Sequence, residues 1–261
     1  MHHRYNARSS VAIFRYKPRF LEVFADYIGR EYLCVDRAPA SEFAFWVDRW
    51  PRFIAKPADG VLGRGVTEIV AADWQSRDDL RMYLKRHRLG LLEEPIRQHD
   101  ALSALCPSSV NTVRITTLCL DGSVEILSAV LRIGSGAFVD NLGAGGIAAP
   151  VDETCGTVIG PAVAKDVRED RHVRHPLTGA AILGFSIPFW PQVLRLVTDA
   201  ARIVPDVHTV GWDVAVGANG PLLVEGNDNW DKTLAQLPSG KGLMPILCKL
   251  EQRVNSSSAN R

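Results

Sequence analysis

The spacing of apolar residues along the chain predicts several helices. Over residues 19–32, large apolar side chains recur every three or four positions, which predicts an amphipathic helix that ends near Gly29. The same spacing predicts a core helix over residues 191–204. A charged helix is predicted over residues 72–88, and a closing helix over residues 244–252.

Short apolar runs predict strands in the first part of the chain. The run RFIAK at residues 52–56 is followed by Pro57, which suits a strand that enters a loop. Further short strands are predicted at residues 66–70 and 91–94. Together with the charged helix between them, these strands predict a small α+β lobe.

Two hairpins are predicted in the second half of the chain. The runs TVRITTLCL and VEILSAVLRI flank the dipeptide Asp121-Gly122, which favours a tight turn because both residues accept positive φ. The runs at residues 210–216 and 222–225 are joined by the sequence GANG and predict a second hairpin. The mixture of helices and hairpins predicts an α+β protein.

Composition and charge exclude several classes of protein. The chain has 261 residues, 46% hydrophobic residues and a net charge of +1, which fits one catalytic unit and neither a disordered chain nor a nucleic-acid-binding protein. No apolar run approaches the roughly 20 residues that span a bilayer, and residues 1–10 lack the apolar core of a signal peptide. A cytoplasmic protein without a membrane span is therefore expected. The five cysteines are never spaced as C-x-x-C, which argues against a disulfide framework and a zinc site.

The hairpin GWDVAVGANGPLLVEGND carries the most informative candidate site. Asp213 lies on its first strand, and Glu225 and Asn227 share one face of the second strand because side chains alternate along a strand. Pairing across the hairpin can bring Asp213 beside them. Two carboxylates and an amide oxygen are hard ligands that suit Mg²⁺, or Mn²⁺ in its place, bound together with nucleotide phosphates. The alternative is a solvated strand end, although carboxylates on such apolar strands need partners.

A lysine and a glycine-rich loop form a second candidate site. Lys56 ends its predicted strand and precedes Gly60, Gly63 and Gly65. The lysine offers a point charge for phosphate, and the loop offers unobstructed backbone N–H groups. The spacing matches neither the Walker nor the Rossmann pattern, so a flexible hairpin turn is the alternative.

Charged residues in apolar surroundings supply further candidates. Glu93 and Glu94 precede Ile96 and could form a hinge that meets a flat base and ribose hydroxyls, with surface acids as the alternative. Arg114 and Arg132 lie on the two strands of the first predicted hairpin, where an unpaired guanidinium is costly. Both arginines need anions, which a salt bridge or a bound phosphate or carboxylate would supply.

In their order along the chain, these features resemble the ATP-grasp superfamily from Lys56 to about Trp230. The superfamily pattern is a strand lysine, a glycine-rich flap, an acidic hinge, a strand arginine, an asparagine followed by Gly-Gly, and a terminal D…E-x-N metal set. More narrowly, the sequences EEPIRQH, SSVNTVRI, VDNLGAGGIAAPVDETCG, HPLTG and LLVEGNDNWD resemble the sugar-transfer-associated ATP-grasp branch. The strand arginines and the metal hairpin also resemble ligases that add amino acids to carboxylates.

The resemblance implies an ATP-grasp fold, with two α+β lobes of mainly antiparallel sheets that hold ATP between them. It divides the chain into an abridged N-terminal region over residues 1–50, a small lobe over residues 51–96, and a large lobe with the metal site over residues 97–254. A polar tail follows over residues 255–261.

The resemblance also implies a role for each candidate residue. The residues that contact ATP would be Lys56, Gly60, Gly63, Gly65, Glu93, Glu94 and Ile96. The residues that act at the transferring phosphate or the acceptor carboxylate would be Arg114, Arg132 and Asn141. Magnesium would be bound by Asp213, Glu225 and Asn227. His99 and Lys232 are looser candidates, and His99 could equally be a capping or surface histidine.

The implied function is an ATP-dependent carboxylate–amine ligase that forms an amide through an acyl phosphate, with ATP and Mg²⁺ as cofactors. Two alternatives remain open: a phosphotransferase acting on a hydroxyl, for instance of a sugar, and a non-catalytic nucleotide-binding protein associated with glycan enzymes. The ligase substrates would be a small-molecule or peptide carboxylate and an amine. Because the N-terminal lobe is abridged, a homodimer or a partner protein could complete the acceptor site.

Overall fold

A computed structural model describes residues 5–59, 65–136, 140, 142–245, 247–248 and 251–253. The chain forms two compact units. Tyr16–Ile96 form the small unit, and Met1–Arg15 together with Arg97–Arg261 form the large unit. The sequence predicted a separate region over residues 1–50, whereas residues 16–50 lie in the same unit as residues 51–96.

In its described residues, the small unit contains a four-stranded antiparallel sheet and four α-helices. Its strands are β1 (Tyr32–Cys34), β2 (Arg52–Lys56), β3 (Thr67–Val70) and β4 (Leu91–Glu93), in the order β1-β4-β2-β3. Its helices are α2 (Lys17–Val23), α3 (Ala25–Ile28), α4 (Ala40–Arg49) and α5 (Arg77–Arg86). Phe43 and Trp46 of α4 pack with Phe53 of β2 and with Leu80 and Leu84 of α5 in one buried core. This apolar layer holds the sheet that carries Lys56 and Glu93.

The large unit contains a five-stranded antiparallel sheet in the order β7-β6-β5-β8-β9. The strands are β5 (Thr112–Leu120), β6 (Ser123–Ile133), β7 (Ile147–Val151), β8 (Thr209–Gly217) and β9 (Gly220–Asn227). Its helices include α1 (Ala12–Arg15), α6 (Asp100–Leu105), α7 (Trp190–Ile203) and α8 (Lys232–Gln236), and described residues at 244–245, 247–248 and 251–253 are also helical. Helix α7 packs on the sheet through its apolar face, so the central strands β5 and β8 are buried along most of their length.

Both predicted hairpins are present, and their turns explain their positions. Asp121 and Gly122 have φ values of 49° and 75°, the positive values that a two-residue turn matching the twist of the strands requires. Strands β8 and β9 close at the facing pair Gly217 and Gly220. As a consequence, one sheet contains β6, β5, β8 and β9 in adjacent positions, and charged side chains of these strands lie close together.

Two predicted helices differ from the structure at their ends. The predicted helix over residues 19–32 is interrupted at Phe24, ends where Gly29 adopts a left-handed conformation, and gives way to β1 at Tyr32. The predicted helix over residues 72–88 begins only after Ser76, whose hydroxyl accepts a hydrogen bond from the backbone N–H of Asp79 at 3.1 Å. A cap of this kind satisfies a free N–H of the first turn, which the apolar spacing does not register.

The N-terminal segment, residues 5–15, belongs to the large unit and contacts the ends of β8 and β9. Asn6 Nδ2 donates to the carbonyl oxygens of Thr209 at 2.9 Å and Asp228 at 3.0 Å, and Asn6 Oδ1 accepts from the N–H of Thr209 at 3.0 Å. Arg15 forms a 2.9 Å ion pair with Asp228. The segment therefore contacts the open end of the hairpin that carries the candidate metal ligands.

Among the described residues, no helix is long and apolar enough to cross a membrane.

Candidate functional site

The second hairpin of the large unit brings the three predicted metal ligands together. Asp213 on β8 lies opposite Glu225 on β9, and Asn227 lies opposite Gly211. The register shifts after Asp213, because Val214 pairs with Leu223 and Val224 is an extra residue on β9. Continuing the register from the turn would set Asp213 opposite Val224, so this bulge is what aligns the two carboxylates.

The three side chains also contact one another. The carboxyl groups of Asp213 and Glu225 share a hydrogen bond. Asn227 Nδ2 donates to the carbonyl of Gly211 at 3.2 Å and to Glu225 Oε1 at 3.4 Å. Since the amide nitrogen serves these two acceptors, the amide oxygen of Asn227 is the atom that a cation could use.

Arg114 and Arg132 both bind Asp213. Arg114 lies opposite Asp213 in the pairing of β5 with β8 and donates from Nε to Oδ1 and from Nη2 to Oδ2, the latter at 2.9 Å. Arg132 on β6 donates from Nη1 to Oδ2 at 2.8 Å. The sequence predicted that both arginines need anions, and here a single buried carboxylate serves both. Their contact with a phosphate or an acceptor carboxylate stays a prediction.

Asp140 is the second anion of Arg132, and the sequence analysis missed it. Arg132 Nη2 donates to Asp140 Oδ1 at 2.6 Å, and Asp140 Oδ2 accepts from the backbone N–H of Thr112 at 2.9 Å and from its hydroxyl. The available signal was the position of Asp140 directly before the predicted site residue Asn141. Asn141 itself lies outside the described residues.

The charges in this cluster determine its ionisation. Burial by itself raises the pKa of Asp213, but the charges of Arg114 and Arg132 outweigh it and hold that pKa well below its usual range. Burial lowers the pKa of Arg132, and the charges of Asp140 and Asp213 more than reverse this. For Asp140, burial prevails over the charge of Arg132 and raises the pKa of the carboxyl group. Asp213 is therefore the firmly ionised carboxylate at the centre of the cluster.

The donor set fits a magnesium ion. Two carboxyl groups in hydrogen-bond contact, such as Asp213 and Glu225, need either a proton or a cation between them. Mg²⁺ typically takes one or two carboxylates from a protein and fills its other positions with water and substrate phosphates. Among the described residues no cluster of three or more His, Cys, Asp or Glu side chains could hold a metal, which leaves this pair with the amide oxygen of Asn227 as the candidate set.

In the small unit, Lys56 is held by a buried carboxylate. Lys56 Nζ lies 2.7 Å from Glu93 Oε2, and Arg30 Nη2 lies 3.0 Å from Glu93 Oε1. Burial raises the pKa of Glu93, but the charges of Arg30 and Lys56 and their hydrogen bonds lower it to about 2. Arg30 was not predicted as a site residue, because it directly follows Gly29 at the end of a predicted amphipathic helix, where a charged residue is ordinarily solvent-exposed. The predicted contact of Glu93 with adenine or ribose stays a prediction.

The other predicted nucleotide contacts are placed as follows. Glu94 Oε2 accepts from the backbone N–H of Glu31 at 3.0 Å, and Ile96 is half-buried at the end of the small unit. Gly65 has a φ of 74°, whereas Gly60 and Gly63 lie outside the described residues.

His99 caps a helix in the structure, and Lys232 begins one. His99 Nδ1 accepts from the N–H of Ala101 at 3.1 Å at the start of α6, which is the capping role that the sequence left open. Lys232 is the first residue of α8 and is half-buried. The capping bond gives His99 a structural role, and a ligand contact of Lys232 stays a prediction.

A buried polar network fixes the end of β6 beside Arg132. Asn111 Oδ1 accepts from the N–H of Gly134 at 3.1 Å, and His175 Nε2 donates to the Gly134 carbonyl at 2.7 Å. His175 Nδ1 accepts from the N–H of Thr178, so the ring proton lies on Nε2. A Cβ atom at position 134 would lie 2.1 Å from Ser109 Oγ, which explains the glycine. The sequences SSVNTVRI, LRIG and HPLTG therefore meet in one structural cluster.

The fold matches solved ATP-grasp structures. The ATP-grasp ligase PsnB, in complex with the precursor peptide PsnA2 and AMPPNP, matches with a TM-score of 0.55 and 15% identity over 94% of this chain and 60% of PsnB. D-alanine–D-alanine ligase from Bacillus anthracis matches with a TM-score of 0.56 and 12% identity over 98% of this chain and 72% of that enzyme. These likenesses confirm the predicted α+β ATP-grasp fold, and the chain covers less than two thirds of the length of PsnB.

The family assignment comes from the sequence itself. No curated protein matches the chain. A family model for sugar-transfer associated ATP-grasp proteins matches residues 2–252, nearly the whole length, and the predicted resemblance to that branch is confirmed. The chain therefore belongs to the sugar-transfer associated ATP-grasp family.

Proposed function

We propose that this protein is an ATP-dependent carboxylate–amine ligase that binds Mg-ATP and forms an amide through an acyl phosphate. The observation that carries the proposal is the cluster on the large sheet, where Asp213 and Glu225 lie opposite each other beside Asn227. Two arginines on the neighbouring strands bind the same cluster. This arrangement concentrates hard metal ligands and fixed positive charge on one surface, as phosphoryl transfer requires.

Asp213, Glu225 and Asn227 would hold magnesium, which supplies neutralisation of phosphate charge when it is bound. Arg114 and Arg132 would fix the orientation of the Asp213 carboxylate through their hydrogen bonds. Their positive charges would also favour a phosphate or carboxylate brought close to the cluster. Lys56, a compact charge at the end of β2, would contact the nucleotide phosphates.

The proposed chemistry has two steps. An oxygen of the substrate carboxylate attacks the γ-phosphorus of ATP, the bond to ADP breaks, and an acyl phosphate forms. The amine then attacks the acyl carbon, loses a proton, and displaces inorganic phosphate, which carries away the attacking carboxylate oxygen. The protein contributes alignment and charge stabilisation in both steps, because phosphoryl transfer needs little covalent help.

Support for ligation also comes from the proteins that share the fold. PsnB is described as an ATP-grasp ligase in complexes with a peptide precursor, Mg and ADP, and the Bacillus anthracis protein joins two D-alanines. D-alanine carries both a carboxylate and an amine, so the second name implies these as the reacting groups. We extend this class of substrates, a small-molecule or peptide carboxylate with an amine, to the present chain.

Release of phosphate tests the proposal against a phosphotransferase. The expected result is ADP and stoichiometric inorganic phosphate only when a carboxylate and an amine are both present, with ¹⁸O passing from the labelled carboxylate into phosphate. Hydroxylamine as the amine should give a hydroxamate of the correct acid. Glu225→Gln should abolish turnover, and Glu68→Gln, which changes an exposed glutamate on β3, is the matched control. A phosphorylated hydroxyl product without ¹⁸O in phosphate would instead identify a kinase.

A further inference from the structure

Asp140 is a buried carboxylate of the large unit that none of the predicted roles uses. Only 6% of its surface is exposed, and it lies between β6 and β7, immediately before Asn141. A buried carboxylate at the start of a loop is costly unless its oxygens are hydrogen-bonded. Here both oxygens are, and the partners come from two different strands.

The contacts of Asp140 tie the loop to the sheet. Oδ2 accepts the backbone N–H of Thr112 at 2.9 Å and the hydroxyl of the same residue, at the first position of β5. Oδ1 accepts from Arg132 Nη2 at 2.6 Å, near the end of β6. Because Thr112 and Arg132 are facing residues in the β5–β6 pairing, one carboxylate fastens the ends of both strands.

Arg132 connects Asp140 to the candidate metal ligand Asp213. Its other terminal nitrogen, Nη1, donates to Asp213 Oδ2 at 2.8 Å, so the planar guanidinium lies between two carboxylates. Arg132 is only 9% exposed. A planar group bound at both edges has little freedom to rotate, and the position of Asp140 therefore sets the direction in which Arg132 holds Asp213.

We propose that Asp140 is a positioning residue that orients the candidate metal ligand Asp213 by holding Arg132 against it. This inference rests on the proposed function, since it gives Asp213 the role of a metal ligand. Both oxygens of Asp140 accept from Thr112 and Arg132, so we assign Asp140 no contact with the metal or the substrate. It acts through Arg132, as partners that orient a metal ligand do in other proteins, where their replacement typically lowers metal affinity or activity about 10–100-fold.

The contacts also explain why a carboxylate is needed at this position. Arg132 and both groups of Thr112 are donors in their bonds to Asp140, so the side chain must accept at both ends. In Asp140→Asn, the amide nitrogen faces either Arg132 or Thr112, donor against donor. Thr112→Val removes the hydroxyl donor at nearly constant volume in a strand, whereas Thr112→Ser keeps it.

The test measures Mn²⁺ affinity in the presence of ADP by paramagnetic resonance, together with kcat and KM, on the full chain. Asp140→Asn and Thr112→Val should weaken Mn²⁺ binding, the former about 10-fold or more, and should lower kcat more than they raise the KM for ATP. Thr112→Ser should restore values close to wild type. Asp152→Asn is the matched control, because it removes a carboxylate whose described hydrogen bonds stay within the turn that follows β7, to Thr154 and Cys155.

The outcomes separate this inference from the proposed function. Folded Asp140→Asn and Thr112→Val with wild-type Mn²⁺ affinity and kcat overturn it, as does a Thr112→Val variant that changes only the melting temperature. If Asp140→Asn does not fold, the comparison of Mn²⁺ affinity and kcat between Thr112→Val and Thr112→Ser tests the inference instead. Wild-type protein that binds Mn²⁺ and ADP but joins no carboxylate to an amine refutes the ligase and leaves Asp140 in its role. Wild-type protein that binds no Mn²⁺ refutes both.

Discussion

Replacing Glu93 with glutamine would leave two buried cations of the small unit facing a neutral amide. Glu93 accepts from Arg30 through one oxygen and from Lys56 through the other, and the side chains of all three are less than 10% exposed. Glutamine has nearly the same size and shape, so the substitution removes charge without opening a cavity. The loss in the free energy of unfolding should therefore measure the cost of leaving Arg30 and Lys56 without their buried carboxylate.

Two independent estimates give a similar magnitude. Removing one partner of a buried ion pair typically costs about 3–5 kcal/mol, because the remaining charge is left uncompensated. The pKa of Glu93 falls from its ordinary 4.5 to about 2 in the folded protein, which corresponds to stabilisation on the order of 3 kcal/mol. For a protein of this size, such a loss lowers the melting temperature by about 6–20 °C.

The sign of the pH dependence follows from the lowered pKa of Glu93. The folded state binds the proton less tightly than the unfolded state, so the stabilisation is fully present above the ordinary pKa of 4.5. It is lost as the pH falls through that value toward the folded pKa of about 2. The difference in stability between wild type and Glu93→Gln should thus be largest near neutral pH and shrink below about pH 4.5, since glutamine does not ionise.

Urea unfolding followed by tryptophan fluorescence at pH 7, 5, 4 and 3 measures this difference. Glu94→Gln is the matched control, because Glu94 accepts only a backbone N–H in its described hydrogen bonds and a glutamine oxygen can accept the same bond. The control should lie within about 1 kcal/mol of wild type. If Glu93→Gln is as stable as Glu94→Gln at pH 7, or if its deficit does not depend on pH, the reasoning about the buried ion pairs is refuted.

Three further predictions concern the nucleotide, the metal and the N-terminal segment. Mg-ATP at one hundred times its Kd should stabilise the protein by about 2.7 kcal/mol, a rise of about 5–11 °C in Tm that EDTA removes; an unchanged Tm with and without magnesium would contradict nucleotide binding. Glu225→Gln and Asn227→Ala should each lower turnover by more than about 100-fold with little change in Tm, and a variant that unfolds while its soluble fraction turns over normally would return these residues to a structural role. Asn6→Ala should cost about 2–3 kcal/mol in urea unfolding, since four buried hydrogen bonds are lost, and a cost below about 0.5 kcal/mol would show that the segment does not hold the hairpin.

Local patterns in the sequence were sufficient for the elements whose contacts are close in the chain. The Asp121-Gly122 turn predicted the β5–β6 hairpin, and the glycines at positions 217 and 220 predicted the pairing of β8 with β9. The two-residue period of a strand correctly put Glu225 and Asn227 on one face, and the order of these motifs indicated the ATP-grasp family. The hairpins and the shared face depend on backbone geometry over a few residues, which sequence periodicity reflects directly. The family followed instead from the resemblance of the ordered motifs to known proteins.

Long-range contacts were beyond the reach of such patterns. Arg30 meets Glu93 across 63 positions, Asp140 reaches back to Thr112, and Asn6 joins Thr209 from the opposite end of the chain. Apart from the position of Asp140 beside Asn141, these residues have no local signal, because the sequence around a charged or amide side chain is the same whether that side chain is solvated or buried. The bulge at Val224, which aligns Asp213 with Glu225, also has no recognisable pattern in the sequence. These features depend on which distant donors and acceptors the packed sheets bring together. A buried polar group is stable only when it has a hydrogen-bonding or charged partner in the folded protein.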